Sequence, residues 1–300
     1  MSRVIEVPDV LDHKGFEVLI RALNQVTQEE AARVLFNAKH VRWTSPYGLI
    51  GLLAAGRVAY ERTGFAPSIE APDNREVRGY WERMDFWHVA PDVYDLEPVP
   101  VRAHGASDAL LEITPIRSHH DVHAVVEKVR ERAATILLNK LHYARPSVIQ
   151  FSVLLSEVCQ NIIEHAEADG WVCAQTYNYR ERLGRDVVQL AVMDVGIGFE
   201  GSLSAEHSRR HGERWSAGMA LERALLHGES RHRDPGRGQG LQAIRRQVDR
   251  WHGELGIRSG DAMIASPTQE WGDLAHMRTG LENFPGAQIL VVMPAHVENE

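Results

Sequence analysis

The spacing of apolar residues changes period repeatedly along the first ninety positions. Residues 4–8 read as a strand, residues 13–26 as an amphipathic helix and residues 32–41 as a second strand. A long apolar helix rich in small residues follows over 46–62. A short strand over 68–71 precedes the turn Pro72-Asp73-Asn74, and another helix covers 76–87. Strand and helix alternate three times, which predicts a small α/β layer.

Residues 91–105 carry spaced prolines and no helical period, so they read as a boundary. The expected organisation is a domain over 1–92, a linker over 93–108 and a second domain over 109–300. In the second, strands are expected at 110–113, 171–179, 187–194, 255–258, 262–265 and 289–293. Helices are expected at 119–141, with a break near Arg145-Pro146, and at 147–168, 215–227 and 241–251. Residues 236–240 form a glycine-rich turn. Helices set against an antiparallel sheet make this half an α/β sandwich. The fold class is therefore α/β followed by α+β.

Composition narrows the function classes. Hydrophobic residues make up 44% of the 300, enough for two substantial cores. A formal net charge of −8 argues against general nucleic-acid coating, so no direct nucleic-acid binding is expected. No apolar run approaches the roughly 20 residues of a membrane span, and the first residues lack the pattern of a signal peptide. The two cysteines, Cys159 and Cys173, have no metal-ligand spacing and read as reduced thiols, so the expected location is cytoplasmic. His119, His120 and His123 lie close in sequence, but no acid or cysteine completes a metal site beside them, and they read as solvated histidines.

Three short stretches carry candidate chemistry. In Ser156–Ala166 the polar residues Glu157, Asn161 and His165 recur every four positions, and Glu157 and Asn161 share a narrow arc, with Phe151, Leu155, Val158, Ile162 and Ala166 on the opposite side of the helix. The stripe is either a solvated face or the lining of a cleft. In a cleft, a carboxylate can take a proton and an amide oxygen can ligate a hard cation such as Mg²⁺. The second stretch places Asp194 at the end of an apolar strand, ahead of Gly196 and Gly198, where the backbone can approach a partner closely. The third, Gly236, Gly238 and Gly240 with Gln239 between and Leu241 after, opens a helix and would present N–H groups to a polyphosphate. It is neither a P-loop nor a dinucleotide fingerprint.

In order and spacing these stretches resemble the motifs of the GHKL (Bergerat-fold) ATPase superfamily, which includes gyrase B, the heat-shock-ninety chaperones, sensor histidine kinases and anti-sigma-factor kinases. Glu157 to Asn161 resembles its N box, Asp194 to Gly198 its first glycine box and Gly236 to Gly240 its second, and the likeness covers roughly residues 110–297. The resemblance implies helices on one face of a mixed sheet, ATP and Mg²⁺ as ligands, and a role for each residue. Asp194 would accept the adenine amino group, Gly196 and Gly198 would let the chain pass the base and ribose, and Asn161 would hold Mg²⁺. Gly236, Gly238, Gln239, Gly240 and Leu241 would form the phosphate-side box, residues 200–240 the lid, and Glu157 the general base. His165 would join the ATP-binding stripe. One departure is the segment Gly286-Ala287-Gln288, which lacks the threonine many members place beside the adenine-binding aspartate. No phosphoacceptor helix or receiver-like acidic cluster is evident, so transfer to histidine is not expected.

The first half resembles a STAS domain, the anti-sigma-factor-antagonist fold, through its element order and the stretch Val41 to Leu49. Aligned on Gly48-Leu49, Pro46 stands where that family carries its phosphorylated serine, which leaves only Thr44 or Ser45 as substitutes. Another small α/β domain is the competing reading. The whole then reads as a cytoplasmic ATP-binding regulatory protein, a slow ATPase switch coupled to a protein partner or to homodimerisation. A serine/threonine protein kinase acting on another chain, and a non-catalytic adaptor that uses ATP to set its shape, are the alternatives.

Overall fold

A computed structural model describes residues 2–27, 33–96, 110–117, 127, 137–139, 142–161, 168–178, 186–211, 215–229, 240–266 and 277–295. The chain divides into two compact units, Met1–Ala106 and Ser107–Glu300.

The first unit is built on a parallel sheet of β1 (Ser2–Glu6), β3 (Arg33–Asn37) and β5 (Ser68–Glu70), in that order. Helices α1 (His13–Thr27) and α2 (Pro46–Thr63) make the crossovers and pack on each other. Thirteen of the eighteen residues of α2 are buried, which explains why its sequence is apolar around most of its circumference. Its glycines permit close approach. A Cβ on Gly48 would stand 1.9 Å from the Leu11 carbonyl oxygen, and one on Gly51 would stand 2.7 Å from the Phe16 ring. A two-residue parallel pair, β2 (Val10–Leu11) with β4 (Trp43–Thr44), is too short to leave a periodic signal.

Three boundaries differ from the expectation. The strand expected at 32–41 ends at Asn37, because the chain turns and re-enters as β4. The helix expected at 76–87 is two, α3 (Arg75–Arg83) and α4 (Phe86–Val89), because Asp85 takes a left-handed conformation between them. Val93 and Tyr94, expected in the linker, belong to the first core: both are buried, and the Tyr94 hydroxyl donates to the Leu52 carbonyl at 2.6 Å.

The second unit carries a seven-stranded sheet in the order β11-β10-β9-β12-β8-β7-β6. The strands are β6 (Leu110–Ile116), β7 (Gly170–Asn178), β8 (Asp186–Asp194), β9 (Glu254–Gly260), β10 (Ala262–Ser266), β11 (Met277–Arg278) and β12 (Phe284–Pro294). Every adjacent pair is antiparallel, which corrects the mixed sheet implied by the resemblance. The described helices are α5 (Arg145–Asn161), α6 (Gly198–His211), α7 (Ala217–Glu222), continued by a π-helical turn over Arg223–His227, and α8 (Gly240–Arg250). Val188, Leu190 and Val192 of β8 share one core with Ile289, Val291 and Met293 of β12, Leu255 and Ile257 of β9, and residues of all four helices. Alternate strand positions on the opposite face, such as Cys173, Ala191 and Met193, are buried too. Burial of both faces explains the unbroken apolar runs in these strands.

The expected lid over 200–240 includes packed structure among its described residues, 200–211 and 215–229. Leu203, Ala217, Ala220, Leu221, Ala224 and Leu225 all lie in the core, so residues 200–225 include helices fixed against the sheet. Residues 230–239 lie outside the described residues. The helix expected at 119–141 is described only at Glu127 and Leu137–Asn139, which are helical. The helix expected at 147–168 starts earlier, at Arg145, with Pro146 comfortable in the first turn, and residues 162–167 lie outside the described set.

Candidate functional site

Side chains alternate along a strand, so Asp194 at the end of β8 faces the same way as Val192, Leu190 and Val188, toward the helices. Its neighbours across the sheet follow from register. Gly170 of β7 pairs with Asp194, Gln288 of β12 pairs with Met193, and Ala287 pairs with Ser259 of β9. Asp194, Ala287 and Ser259 thus form a row at one edge of the helix-covered face, where the apolar core ends.

The Asp194 carboxylate is buried, 5% exposed, and held by backbone donors. The Gly196 N–H donates to Oδ1 at 2.9 Å, and the Ala287 N–H donates to the same carboxylate. Burial pushes the carboxyl up to about 7, and the two backbone donors work against that rise. A buried carboxylate satisfied by main-chain donors still has free lone pairs, so it can accept from a ligand N–H.

Two glycines make this crowding possible. Gly198, at φ 63°, opens α6, and a Cβ there would stand 2.5 Å from the Ser259 hydroxyl. Gly286, at φ 77°, lies in a bulge where β12 shifts register between Phe284 and Ala287. Both angles suit glycine, because the left-handed region costs other residues roughly 1–2 kcal/mol.

On the other face, Arg258 is buried and donates to the carbonyls of Gly260 and Glu282, with its guanidinium 5.9 Å from the Phe284 ring centroid. Gln288 donates to the Pro285 carbonyl at 2.8 Å and the Asp194 carbonyl at 3.4 Å. Next to Gly198, Glu200 is raised above the ordinary carboxylate range by partial burial, and the charge of Asp261 adds to the rise.

Of the residues singled out in the sequence, the structure brings Asp194, Gly196 and Gly198 together. Gly240 is the first described residue of α8, and Leu241 is buried in the helix–sheet core. Glu157 and Asn161 lie on α5, Asn161 as its last described residue, and α5 packs against α8. The side chains of Glu157 and Asn161, and the whole of His165, Gly236, Gly238 and Gln239, lie outside the described residues. So do His119, His120 and His123. Among the described residues no group of three or more His, Cys, Asp or Glu could hold a metal ion. Asn161 would bring an amide oxygen to Mg²⁺, a hard donor suited to a hard cation.

Sequence reasoning missed Ser259 and Arg258. Their one signal is the polar trio Arg258-Ser259-Gly260 ending the otherwise apolar Leu255-Gly256-Ile257. Cys159 and Cys173 are buried thiols outside any disulfide, and burial pushes the Cys159 thiol up to about 12, well away from a reactive thiolate. No helix among the described residues is long and apolar enough to cross a membrane. No protein-family model, curated protein or solved structure matches the chain.

Proposed function

We propose that the second unit binds ATP with Mg²⁺ in a GHKL-type site, and that the protein is an ATP-dependent regulatory switch whose first unit is STAS-like. The observation that carries this reading is Asp194: a buried carboxylate at a strand end, oriented by two backbone donors and flanked by left-handed glycines. An acceptor so placed reads an exocyclic N–H donor such as the adenine amino group. Gly240, the first described residue of α8, would offer its backbone N–H to phosphates. Glu157 is the proposed base for hydrolysis and Asn161 the proposed Mg²⁺ ligand. A protein partner or a second copy of the chain would sense the nucleotide state.

Titration calorimetry with ATP and inosine triphosphate tests the binding. Inosine presents a carbonyl where adenine presents the amino group, so the ionised Asp194 should prefer ATP by roughly ten- to a hundred-fold. Equal affinity for the two well above pH 7, where Asp194 is ionised, would remove the adenine reading. Incubation with γ-labelled ATP then separates the chemistries. Free phosphate supports the slow ATPase, label on a protein supports the kinase acting in trans, and neither supports the non-catalytic adaptor.

A further inference from the structure

The geometry points to Ser259 as the positioning residue of the purine site, its hydroxyl bolting together the two backbone segments that orient Asp194. This rests on the reading of Asp194 as the purine acceptor. The two N–H donors to Asp194 come from different places: Gly196 lies on the exit from β8 toward α6, and Ala287 lies on the bulged start of β12. Nothing in the covalent chain holds those segments in register, since some ninety residues separate them.

Ser259 supplies the link. Its hydroxyl donates to the Gly286 carbonyl at 2.7 Å and accepts from the Phe199 N–H at 3.1 Å. A serine hydroxyl has one proton, so donation to Gly286 fixes its lone pairs toward Phe199. The bulge makes this cap necessary, because it takes Pro285 and Gly286 out of the regular ladder. The Pro285 carbonyl is capped by Gln288 from the other face, and the Gly286 carbonyl is capped by Ser259. Gly286 in turn lies directly against Asp194. Ser259 does not touch the Asp194 carboxylate in this arrangement and acts through its neighbours.

Removing the hydroxyl strands a buried carbonyl and frees the start of α6 from the bulge. The two donors to Asp194 then lose their fixed separation, and the carboxylate loses its aim. General loosening would weaken all nucleotides alike. Misdirection of the acceptor weakens the ligand that needs it.

The test compares the full-length protein with Ser259→Ala and Ser259→Thr. ATP and inosine triphosphate affinities are measured by calorimetry, and the Gly196 amide resonance is followed by NMR without nucleotide. The expected result for Ser259→Ala is about a ten-fold loss of ATP affinity, little change for inosine triphosphate and a displaced Gly196 resonance. Ser259→Thr, which keeps the hydroxyl, restores both. A folded Ser259→Ala protein with an unmoved Gly196 resonance overturns the proposal, as does a threonine variant that matches the alanine one. If Ser259→Ala does not fold, Ser259→Cys, a weaker donor of similar size, should give the same losses in smaller measure, and an unmoved Gly196 resonance there overturns it equally. Wild-type protein that binds neither nucleotide defeats the purine reading, while the Gly196 resonance still decides the role of Ser259.

Discussion

Gly286 lies against Asp194 so closely that a Cβ on the glycine would stand 2.6 Å from Oδ1 and 2.1 Å from the Asp194 carbonyl oxygen. The contact joins β12 to the end of β8 where the proposed base-reading carboxylate sits. It also sets a steric test. Gly64, at the C-cap of α2, has a similar φ of 74° but nothing within 4 Å of its missing Cβ. Gly64→Ala should therefore cost only the left-handed penalty, ~1–2 kcal/mol. Gly286→Ala adds overpacking against backbone and should cost ~1–3 kcal/mol more, together with nucleotide binding. Urea unfolding and calorimetry on the two variants check this, and equal destabilisation would show the Gly286 contact to be slack.

Asp194 should leave a signature in stability against pH. Its carboxyl is held near 7 in the folded protein, against an ordinary 3.8. Below the ordinary value both states are protonated and the group contributes nothing. Between about 4 and 7 the unfolded chain has lost the proton and the folded chain keeps it, so stability falls as pH rises. Above about 7 the deficit is constant at ~4 kcal/mol. In Asp194→Asn that fall is absent. Its stability relative to wild type should rise across this window and then level off, whatever offset the new amide's own hydrogen bonds impose. Urea midpoints followed through the window measure the slope.

On the proposed reading, the same proton couples to nucleotide choice. An adenine amino group needs the ionised acceptor, whereas the carbonyl of inosine can accept from the protonated acid. ATP affinity should fall by about ten-fold per pH unit below 7, and the preference for ATP over inosine triphosphate should shrink with it. Affinities measured on either side of neutrality decide this, and a preference independent of pH would place the reading of the base elsewhere.

Much of the architecture was legible because period and turn chemistry agreed. The parallel βα units of the first half and the strands ending at Asp194 and around Ile289 follow from apolar spacing and proline or glycine punctuation. The legible part of the site was local: Asp194, Gly196 and Gly198 are near neighbours in sequence. What was not legible is long-range. Ser259 is sixty residues from Phe199, and only the pairing of β9 with β12 brings it to Gly286. The helix α6 was also missed. Its glycines and polar residues resemble a lid in sequence, and it is fixed by packing through Leu203 and by Ser259 rather than by helical propensity.

Thr44 and Ser45 should not be phosphorylated by the proposed nucleotide-binding unit of the same chain. Both are buried, 3% and 2% exposed. The Thr44 hydroxyl accepts from the Trp81 indole N–H at 3.1 Å, and Ser45 caps α2 by accepting from the Gly48 N–H at 3.0 Å. Pro46 begins the helix and has no hydroxyl. Mass spectrometry after incubation with Mg-ATP should find both residues unmodified. Stoichiometric phosphate on either would restore a covalent switch to this unit. Ser45→Ala should instead behave as a lost helix cap, costing ~1 kcal/mol in urea unfolding without altering ATP affinity.

Glu157 and Asn161 lie one helical turn apart on α5, and their proposed roles predict different losses. A general base acts on the proton of the attacking hydroxyl or water and adds little to ground-state binding. A Mg²⁺ ligand holds the metal against the phosphates and contributes to binding itself. Glu157→Gln keeps the size and hydrogen-bonding reach of the side chain but removes its basicity. It should retain ATP affinity and lose turnover by about 10²–10⁴-fold. Asn161→Ala removes the amide oxygen, so its defect should be in affinity, it should be largest in the presence of Mg²⁺, and it should shrink when ATP is titrated with the metal chelated. Calorimetry with and without Mg²⁺, combined with single-turnover hydrolysis of bound ATP, separates the two. If both variants lose binding equally and neither slows turnover of the nucleotide that remains bound, the division of roles along α5 is wrong. If Glu157→Gln hydrolyses bound ATP at the wild-type rate, Glu157 is not the base, and if neither it nor the wild-type protein turns over bound ATP while Asn161→Ala loses Mg²⁺-dependent affinity, the non-catalytic adaptor becomes the better reading of this site.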